Sequence, residues 1–210
     1  MAVRVILADD HVIVRQGLKA LLEREGYEVV GEASNGHEAI KLAETTHPEV
    51  VILDISMPLL NGIDAAREIL GSAPRTKVIL LTMFTEEHYV YEALRAGVSA
   101  YVLKTKAANE LVSALQEVIK GDTYLSPGIS RTVVQAYLSK ADTPSDPLTA
   151  RERQVIQLVA EGKTTKEIAT VLGISTKTAE SHRTNIMEKL NIHDIAGLVR
   201  YAIRHGIVAS

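Results

Sequence analysis

Short apolar runs alternate with amphipathic helical stretches through the first 120 residues, and this alternation restricts the fold more than any other feature. The apolar runs are predicted strands, because they are short, rich in Val, Ile and Leu, and bounded by polar or turn residues. They lie at Val3–Ala8, Tyr27–Ala33, Val50–Asp54, Lys77–Thr82 and Ala100–Leu103. The predicted helices lie at Val12–Glu25, His37–Thr45, Ile63–Leu70, Glu86–Ala96 and Ala108–Lys120. Five such units predict an α/β fold with a five-stranded parallel, doubly wound sheet of flavodoxin-like type.

The chain after Leu148 contains no predicted strand, so we expect a second, small, all-α domain. Thr149–Glu152 and Thr164–Glu167 both match the capping-box spacing that starts a helix. Ser175 is a third predicted N-cap, and Gly173 suits the residue just past the end of the preceding helix. These signals predict a helix-turn-helix unit, the supersecondary structure of many DNA-binding proteins. Its two helices are predicted at Glu167–Leu172 and Thr176–Leu190.

A change in composition separates the two regions. The stretch ADTPSDP is typical of a linker, and Ser130–Lys140 before it is a possible helix. We therefore predict a first domain over residues 1–120, a linker over 121–146 and a second domain over 147–210.

Charge and composition narrow the classes of function. The net charge is −3, but residues 148–210 carry 9 Lys and Arg against 6 Asp and Glu, so the first region is acidic and the second mildly basic. The chain has no Cys, which excludes disulfides and thiolate metal sites. No apolar run approaches the roughly 18 residues of a membrane span, and no signal-peptide pattern precedes the first strand. These features predict a cytoplasmic protein without a membrane partner.

Polar side chains follow four of the five predicted strands. Asp9 and Asp10 close the first, Asp54 the third, Thr82 the fourth and Lys104 the fifth. Because the carboxyl ends of parallel strands form the ligand crevice, we expect these five side chains to converge. A helix N-cap at Asp10 would explain one acid of the adjacent pair but not the other.

The residue types at this edge suit a divalent cation and a phosphoryl group. Asp10 and Asp54 offer carboxylate oxygens, and a backbone carbonyl such as that of Ser56 could add a third ligand for Mg²⁺. A carboxylate can also act as a nucleophile and carry a phosphoryl group. Lys104 would supply a positive charge to the phosphoryl oxygens, and Thr82 a hydroxyl donor.

The motifs ILADDH, VVILDISMP, VILLT and AYVLK resemble the receiver domain of bacterial two-component response regulators. The stretch from Leu148 to His182 resembles the LuxR-type helix-turn-helix of the NarL/FixJ subgroup. Together the two resemblances cover nearly the whole chain except the linker. They imply a phosphorylation-dependent transcription regulator whose receiver catalyses its own phosphorylation and dephosphorylation but is not otherwise an enzyme. The implied partners are a sensor histidine kinase, double-stranded promoter DNA, a second copy of the chain when phosphorylated, and RNA polymerase as a further candidate.

The receiver resemblance implies a role for each residue at the sheet edge. Asp54 matches the phosphoacceptor, Asp10 a direct Mg²⁺ ligand and Asp9 a ligand acting through water. The implied positions also include the metal-binding carbonyl of Ser56, the hydroxyl of Thr82, the counter-charge Lys104 and the switch aromatic Tyr101. The alternative for Tyr101 is an ordinary half-buried strand residue. Thr105 stands where many receivers have a cis proline, so we expect a trans peptide there.

The second predicted helix of the helix-turn-helix offers a polar face to DNA. Residues near the N-terminus of such a helix usually contact base edges. The base-contact candidates are Glu180, Ser181 and Thr184, and the phosphate-contact candidates are Thr165, Lys166, Lys177, Thr178, His182 and Arg183. Each of them could instead be a solvated surface residue. Glu180 could accept a hydrogen bond from cytosine, or it could pair with Arg183 or Thr184 and orient them.

Three other interpretations are weaker. GKTTK at Gly162–Lys166 resembles the end of a phosphate-binding loop, but Gln157 stands where the first glycine is required. A phosphatase of the haloacid dehalogenase type needs an acid two residues after its nucleophile, where this chain has Ser56. A receiver whose tail binds only proteins would not need the intact helix-turn-helix pattern.

Overall fold

The structure is a computed structural model, and it describes residues 2–129 and 147–208. The chain divides into two compact units, Met1–Ala141 and Asp142–Ser210. The predicted helix at Ser130–Lys140 lies outside the described residues. The domain boundaries at 120 and 147 therefore stay a prediction.

The first unit is a parallel sheet flanked by helices, which confirms the predicted fold class. Its strand order is β2-β1-β3-β4-β5-β6, and every pair of neighbouring strands is parallel. The strands are β1 (Arg4–Ala8), β2 (Glu28–Ala33), β3 (Val50–Leu53), β4 (Lys77–Thr82), β5 (Ala100–Leu103) and β6 (Tyr124–Leu125). The helices are α1 (Val12–Arg24), α2 (Gly36–Thr46), α3 (Gly62–Ser72), α4 (Glu87–Ala96) and α5 (Ala107–Lys120), and a 3₁₀ turn covers Lys104–Lys106.

The sixth strand corrects the predicted count of five. Tyr124 and Leu125, which lie within the predicted linker, pair with Ala100 and Tyr101 of β5. The N–H of Tyr124 donates to the carbonyl of Ser99 at 3.1 Å. A two-residue strand is too short to produce a periodic pattern, so only its pairing with β5 reveals it.

The sheet is buried on both faces, as a doubly wound fold requires. Along β1, Ile6 and Ala8 belong to one apolar cluster, whereas Val5 and Leu7 belong to the other. This division follows from the alternation of side chains along a strand. All four residues of β3 are buried, which places the end of this central strand deep in the unit.

The second unit is helical throughout its described residues. Its helices are α6 (Ala150–Ala160), α7 (Thr165–Val171), α8 (Thr176–Leu190) and α9 (Ile195–Arg204). Both predicted capping boxes are formed, and the Ser175 hydroxyl accepts from the N–H of Thr178 at 3.0 Å. Gly173 has a φ of +62°, which is the left-handed conformation expected after a helix end. Helix α7 starts directly after its cap Thr164, two residues earlier than predicted.

Among the described helices, none is both long enough and apolar enough to cross a lipid bilayer.

Candidate functional site

The carboxyl edge of the sheet brings Asp9, Asp54 and Lys104 together. The two aspartates are each only 3% exposed. The ammonium Nζ of Lys104 lies 2.7 Å from Asp54 Oδ2 and 2.7 Å from Asp9 Oδ2. One cation therefore lies between two buried carboxylates that would otherwise repel each other.

A tight loop fixes the backbone that carries Asp54. A Cβ on Gly62 would lie 2.0 Å from the carbonyl oxygen of Asp54, so only glycine fits at the start of α3. The N–H of Gly62 donates to the carbonyl of Ile55 at 3.0 Å. Ser56, which is half-buried, donates its backbone N–H to the Asp54 carboxylate. The position of the carboxylate is thus held by packing as well as by Lys104.

Asp10 lies at the same edge but is exposed to solvent. The N-cap of α1 is His11, not Asp10, and the His11 side chain makes no capping hydrogen bond. The helix-cap explanation of Asp10 is therefore wrong. His11 Nδ1 lies 2.8 Å from Asp10 Oδ1, and the N–H of His11 donates to Asp9 Oδ1 at 2.9 Å. Sequence reasoning passed over His11, although its place directly after the two aspartates was the available signal.

The donor set at this edge fits a divalent cation. Asp9, Asp10, His11 and Asp54 each offer one ligand atom, and these atoms lie within 4.8 Å of one another. The cluster has three carboxylates but one ammonium group, that of Lys104, which contacts only Asp9 and Asp54, so it is short of positive charge. Carboxylate oxygens are the ligands that Mg²⁺ prefers.

Burial and charge set the protonation of the central pair. Burial raises the pKa of Asp54 to about 6, although the Lys104 ammonium acts in the opposite direction. Burial would lower the pKa of Lys104, but the carboxylates of Asp54 and Asp9 outweigh it and raise the pKa. At neutral pH the site therefore holds an ionised carboxylate beside a protonated amine.

Phe84 links Thr82 to Tyr101. The backbone N–H of Phe84 donates to the Thr82 hydroxyl at 3.2 Å, and its carbonyl accepts from the Tyr101 hydroxyl at 2.9 Å. Tyr101 is fully buried rather than half-buried, and burial raises its pKa well above the usual range. The Phe84 ring also stacks on Tyr89 with centroids 4.2 Å apart. This link could not be predicted from the sequence, because it uses only the backbone of Phe84 and the stacking of its ring.

The peptide from Lys104 to Thr105 is trans, as expected from the absence of proline; all peptide bonds in the described ranges are trans.

The candidate DNA contacts of the second unit lie mainly on an exposed face. Ala179 and Ile186 are buried and anchor α8, whereas Leu190 is half-buried. The exposed candidates are Lys166, Lys177, Thr178, Glu180, Ser181 and Thr184, and the half-buried ones are Thr165, His182 and Arg183. The predicted polar face of α8 is thus available to a ligand.

Two contacts fix α8 against its neighbours. Arg183 Nη1 donates to the Thr165 hydroxyl at 2.6 Å, which ties α8 to the start of α7. Lys189 Nζ lies 2.7 Å from the carboxylate of Glu152, the same carboxylate that closes the capping box of α6. Sequence reasoning missed the second contact, since its partners are 37 positions apart.

A parallel α/β unit with a carboxylate–lysine cluster, followed by a helix-turn-helix unit, defines a class of phosphoryl-responsive regulators. Comparison with known protein families supports this classification of the two units. Residues 5–116 match the response regulator receiver domain, and residues 146–202 match the luxR family of bacterial regulatory proteins. The chain belongs to the response regulator family and carries a LuxR-type DNA-binding domain.

Relatives of known name align over nearly the whole chain. The transcriptional regulatory protein MctR of Rhizobium johnstonii is 40% identical over 99% of this chain and 96% of its own. The transcriptional regulatory protein LiaR of Bacillus subtilis is 38% identical over 98% of this chain and 99% of its own. The structure of Salmonella enterica RcsB bound to promoter P1flhDC with the phosphomimetic BeF₃⁻ is 31% identical, has a TM-score of 0.63, and covers 96% of this chain and 98% of that chain. The protein is a transcriptional response regulator.

Proposed function

We propose that this regulator accepts a phosphoryl group on Asp54 from a sensor histidine kinase in the cytoplasm and then binds promoter DNA as a homodimer. One observation carries the proposal. Lys104 Nζ lies 2.7 Å from the buried carboxylates of both Asp9 and Asp54, in a chain that also contains a helix-turn-helix unit. RNA polymerase remains a candidate further partner.

The residues divide the phosphoryl chemistry among them. An oxygen of Asp54 forms the new bond to phosphorus while the bond from phosphorus to the donor nitrogen breaks, and that nitrogen keeps the electron pair. Lys104 and the Thr82 hydroxyl then face the phosphoryl oxygens. Asp10, Asp54 and the Ser56 carbonyl would hold Mg²⁺ directly and Asp9 through water. When bound, the ion would neutralise the charge that gathers on the transferring group.

The second unit supplies the output. Exposed Glu180, Ser181 and Thr184 on α8 are the proposed base contacts. The exposed lysines 166 and 177 with Thr178, His182, Arg183 and Thr165 are the proposed phosphate contacts. The small positive charge of this region favours binding by two copies on paired half-sites, since few phosphates are neutralised by one.

The acceptor assignment is tested with Asp54→Asn in the full chain. An amide is neither a nucleophile nor a good metal ligand, so we expect complete loss of phosphoryl uptake from acetyl phosphate with Mg²⁺. Intact-mass spectrometry of the phosphorylated chain measures uptake, and operator binding at fixed salt measures the output. Glu44→Gln, an exposed change on α2, is the control and should leave uptake unchanged. A stoichiometric acid-labile phosphate in the Asp54→Asn protein would refute the assignment.

A further inference from the structure

Ser126, directly after β6, connects three elements of the first unit. It is buried, with 1% of its surface exposed. Its N–H donates to the carbonyl of Tyr101 at 2.9 Å. Its hydroxyl oxygen accepts from the N–H of Leu103 at 3.0 Å, and the hydroxyl donates to the carboxylate of Glu110 on α5. Ser126 therefore holds the end of β5 from the edge of the sheet.

The hydroxyl replaces a backbone partner that the short strand cannot offer. The pairing of β5 with β6 ends at Tyr101 and Leu125. The N–H of Leu103 lies beyond that point in a half-buried residue, and an N–H shielded from water without a partner is costly. The Ser126 side chain satisfies it, so the ladder is in effect extended by one bond. The residue held in this way is the one immediately before Lys104.

Glu110 fixes which way the hydroxyl points. A serine hydroxyl has a single hydrogen. An ionised carboxylate such as that of Glu110 has no hydrogen to donate, so it acts only as an acceptor. The hydrogen therefore points to Glu110 and leaves the oxygen lone pairs for Leu103. A hydroxyl with a defined orientation is a better support than one that rotates freely.

We propose that Ser126 is a positioning residue for Lys104 and acts through the backbone of Leu103. The proposal rests on the function proposed above for the phosphoryl site. The Lys104 ammonium must lie between two carboxylates at 2.7 Å from each, and a small displacement of its backbone would spoil both contacts. The short strand β6 and the serine after it thus support the phosphoryl site from the edge of the sheet.

The test compares Ser126→Ala with Ser113→Ala, an exposed serine on α5, in the full chain. Ser126→Ala should slow phosphoryl uptake from acetyl phosphate about tenfold, because misplacing a charged group is costly in rate. Ser113→Ala should leave the rate unchanged. In a Lys104→Gln background Ser126→Ala should cause no further slowing, since the side chain through which it acts is gone.

Two results would overturn the positioning role of Ser126. A wild-type rate for Ser126→Ala, or the same tenfold loss with and without Lys104, would overturn the proposal. Undiminished uptake by Asp54→Asn would instead discredit the phosphoryl site itself. If circular dichroism shows Ser126→Ala unfolded, Glu110→Leu keeps the serine but removes the acceptor of its hydroxyl. Glu110→Leu should also slow phosphoryl uptake when Lys104 is present, and it should cause no further slowing in the Lys104→Gln background. An unchanged rate in the presence of Lys104 would count against the proposal.

Discussion

The two units of the chain arrange their charged groups in opposite ways. In the receiver unit the buried carboxylates of Asp9 and Asp54 share one partner, the half-buried Lys104. In the helix-turn-helix unit most candidate contacts are exposed along one face of α8. Buried charges interact strongly and depend on one another, whereas exposed charges are screened by salt and act nearly independently. Substitutions should therefore have large, coupled effects in the first unit and small, additive effects in the second.

The largest predicted effect in the first unit comes from a steric clash at Gly62. Gly62→Ala places a Cβ 2.0 Å from the carbonyl oxygen of Asp54, so the backbone at Asp54 must move. We expect the receiver unit to lose at least about 3 kcal/mol of unfolding free energy. Gly71→Ala, in the same helix with nothing within 4 Å, should instead gain about 0.5–1 kcal/mol. Urea denaturation of both proteins measures the difference, and equal stabilities would show that the loop at Asp54 is not tight.

Substitutions of Asp9 and Asp10 should distinguish the proposed direct metal ligand from the proposed ligand that acts through water. Asp10 is exposed at the edge, whereas Asp9 is buried and paired with Lys104. Asp10→Ala should weaken Mg²⁺ binding about 100-fold and Asp9→Ala about tenfold, as expected for a ligand acting through water. Isothermal titration with Mg²⁺ measures both constants. Equal losses would mean that the two roles are divided wrongly.

Much of the receiver could be predicted from its sequence, because its strands are strongly apolar and its polar residues follow them directly. The convergence of Asp9, Asp54 and Lys104 follows from parallel topology alone. The strand β6, the Phe84 link and the contact of Ser126 with Leu103 could not be predicted. They depend on backbone groups or on one or two residues, and neither leaves a periodic or compositional signal. Likewise, the pairing of Lys189 with Glu152 is settled only by how α8 packs on α6.

The exposed candidate DNA contacts of the second unit are tested by the salt dependence of operator affinity. Lys166 is exposed and is a proposed phosphate contact. Lys166→Ala should lower operator affinity about fivefold near physiological salt and reduce the slope of log affinity against log salt by about 1. Lys41→Ala, an exposed lysine on α2, should change neither quantity. Fluorescence anisotropy with labelled operator gives both, and an unchanged slope for Lys166→Ala would remove this residue from the contact set.

One ion pair of the second unit behaves like those of the first and should respond to pH. Burial would raise the pKa of Glu152, but the Lys189 ammonium and the Thr149 donors outweigh it and lower the pKa. A carboxyl group with a lowered folded pKa stabilises above its ordinary value near 4.5 and loses that effect as pH falls below it. Glu152→Gln should therefore cost about 0.5–1 kcal/mol at pH 7 and less near pH 3, because the carboxyl group becomes protonated as pH falls through its folded pKa. Hydrogen exchange of the α6 amides measures the change.

The matched control for that pair is Glu188→Gln, an exposed acid on α8. It should leave α6 exchange unchanged at both pH values. A Glu152→Gln effect of the same size at pH 7 and pH 3 would show that the charge of Glu152 has no part in holding α8 against α6.

The strand order has a consequence for the protein during its synthesis on the ribosome. Asp54 contacts Lys104 across 50 positions of sequence, and Lys104 directly follows β5, which pairs with β4. A nascent chain that has emerged only as far as Asp54 carries the proposed phosphoacceptor without the Lys104 ammonium. The cluster cannot form until Lys104 has emerged, and at roughly 5–20 residues per second the helix-turn-helix unit follows several seconds later. The residues of the proposed phosphoryl site are thus all translated before the first helix of the second unit, which begins at Ala150.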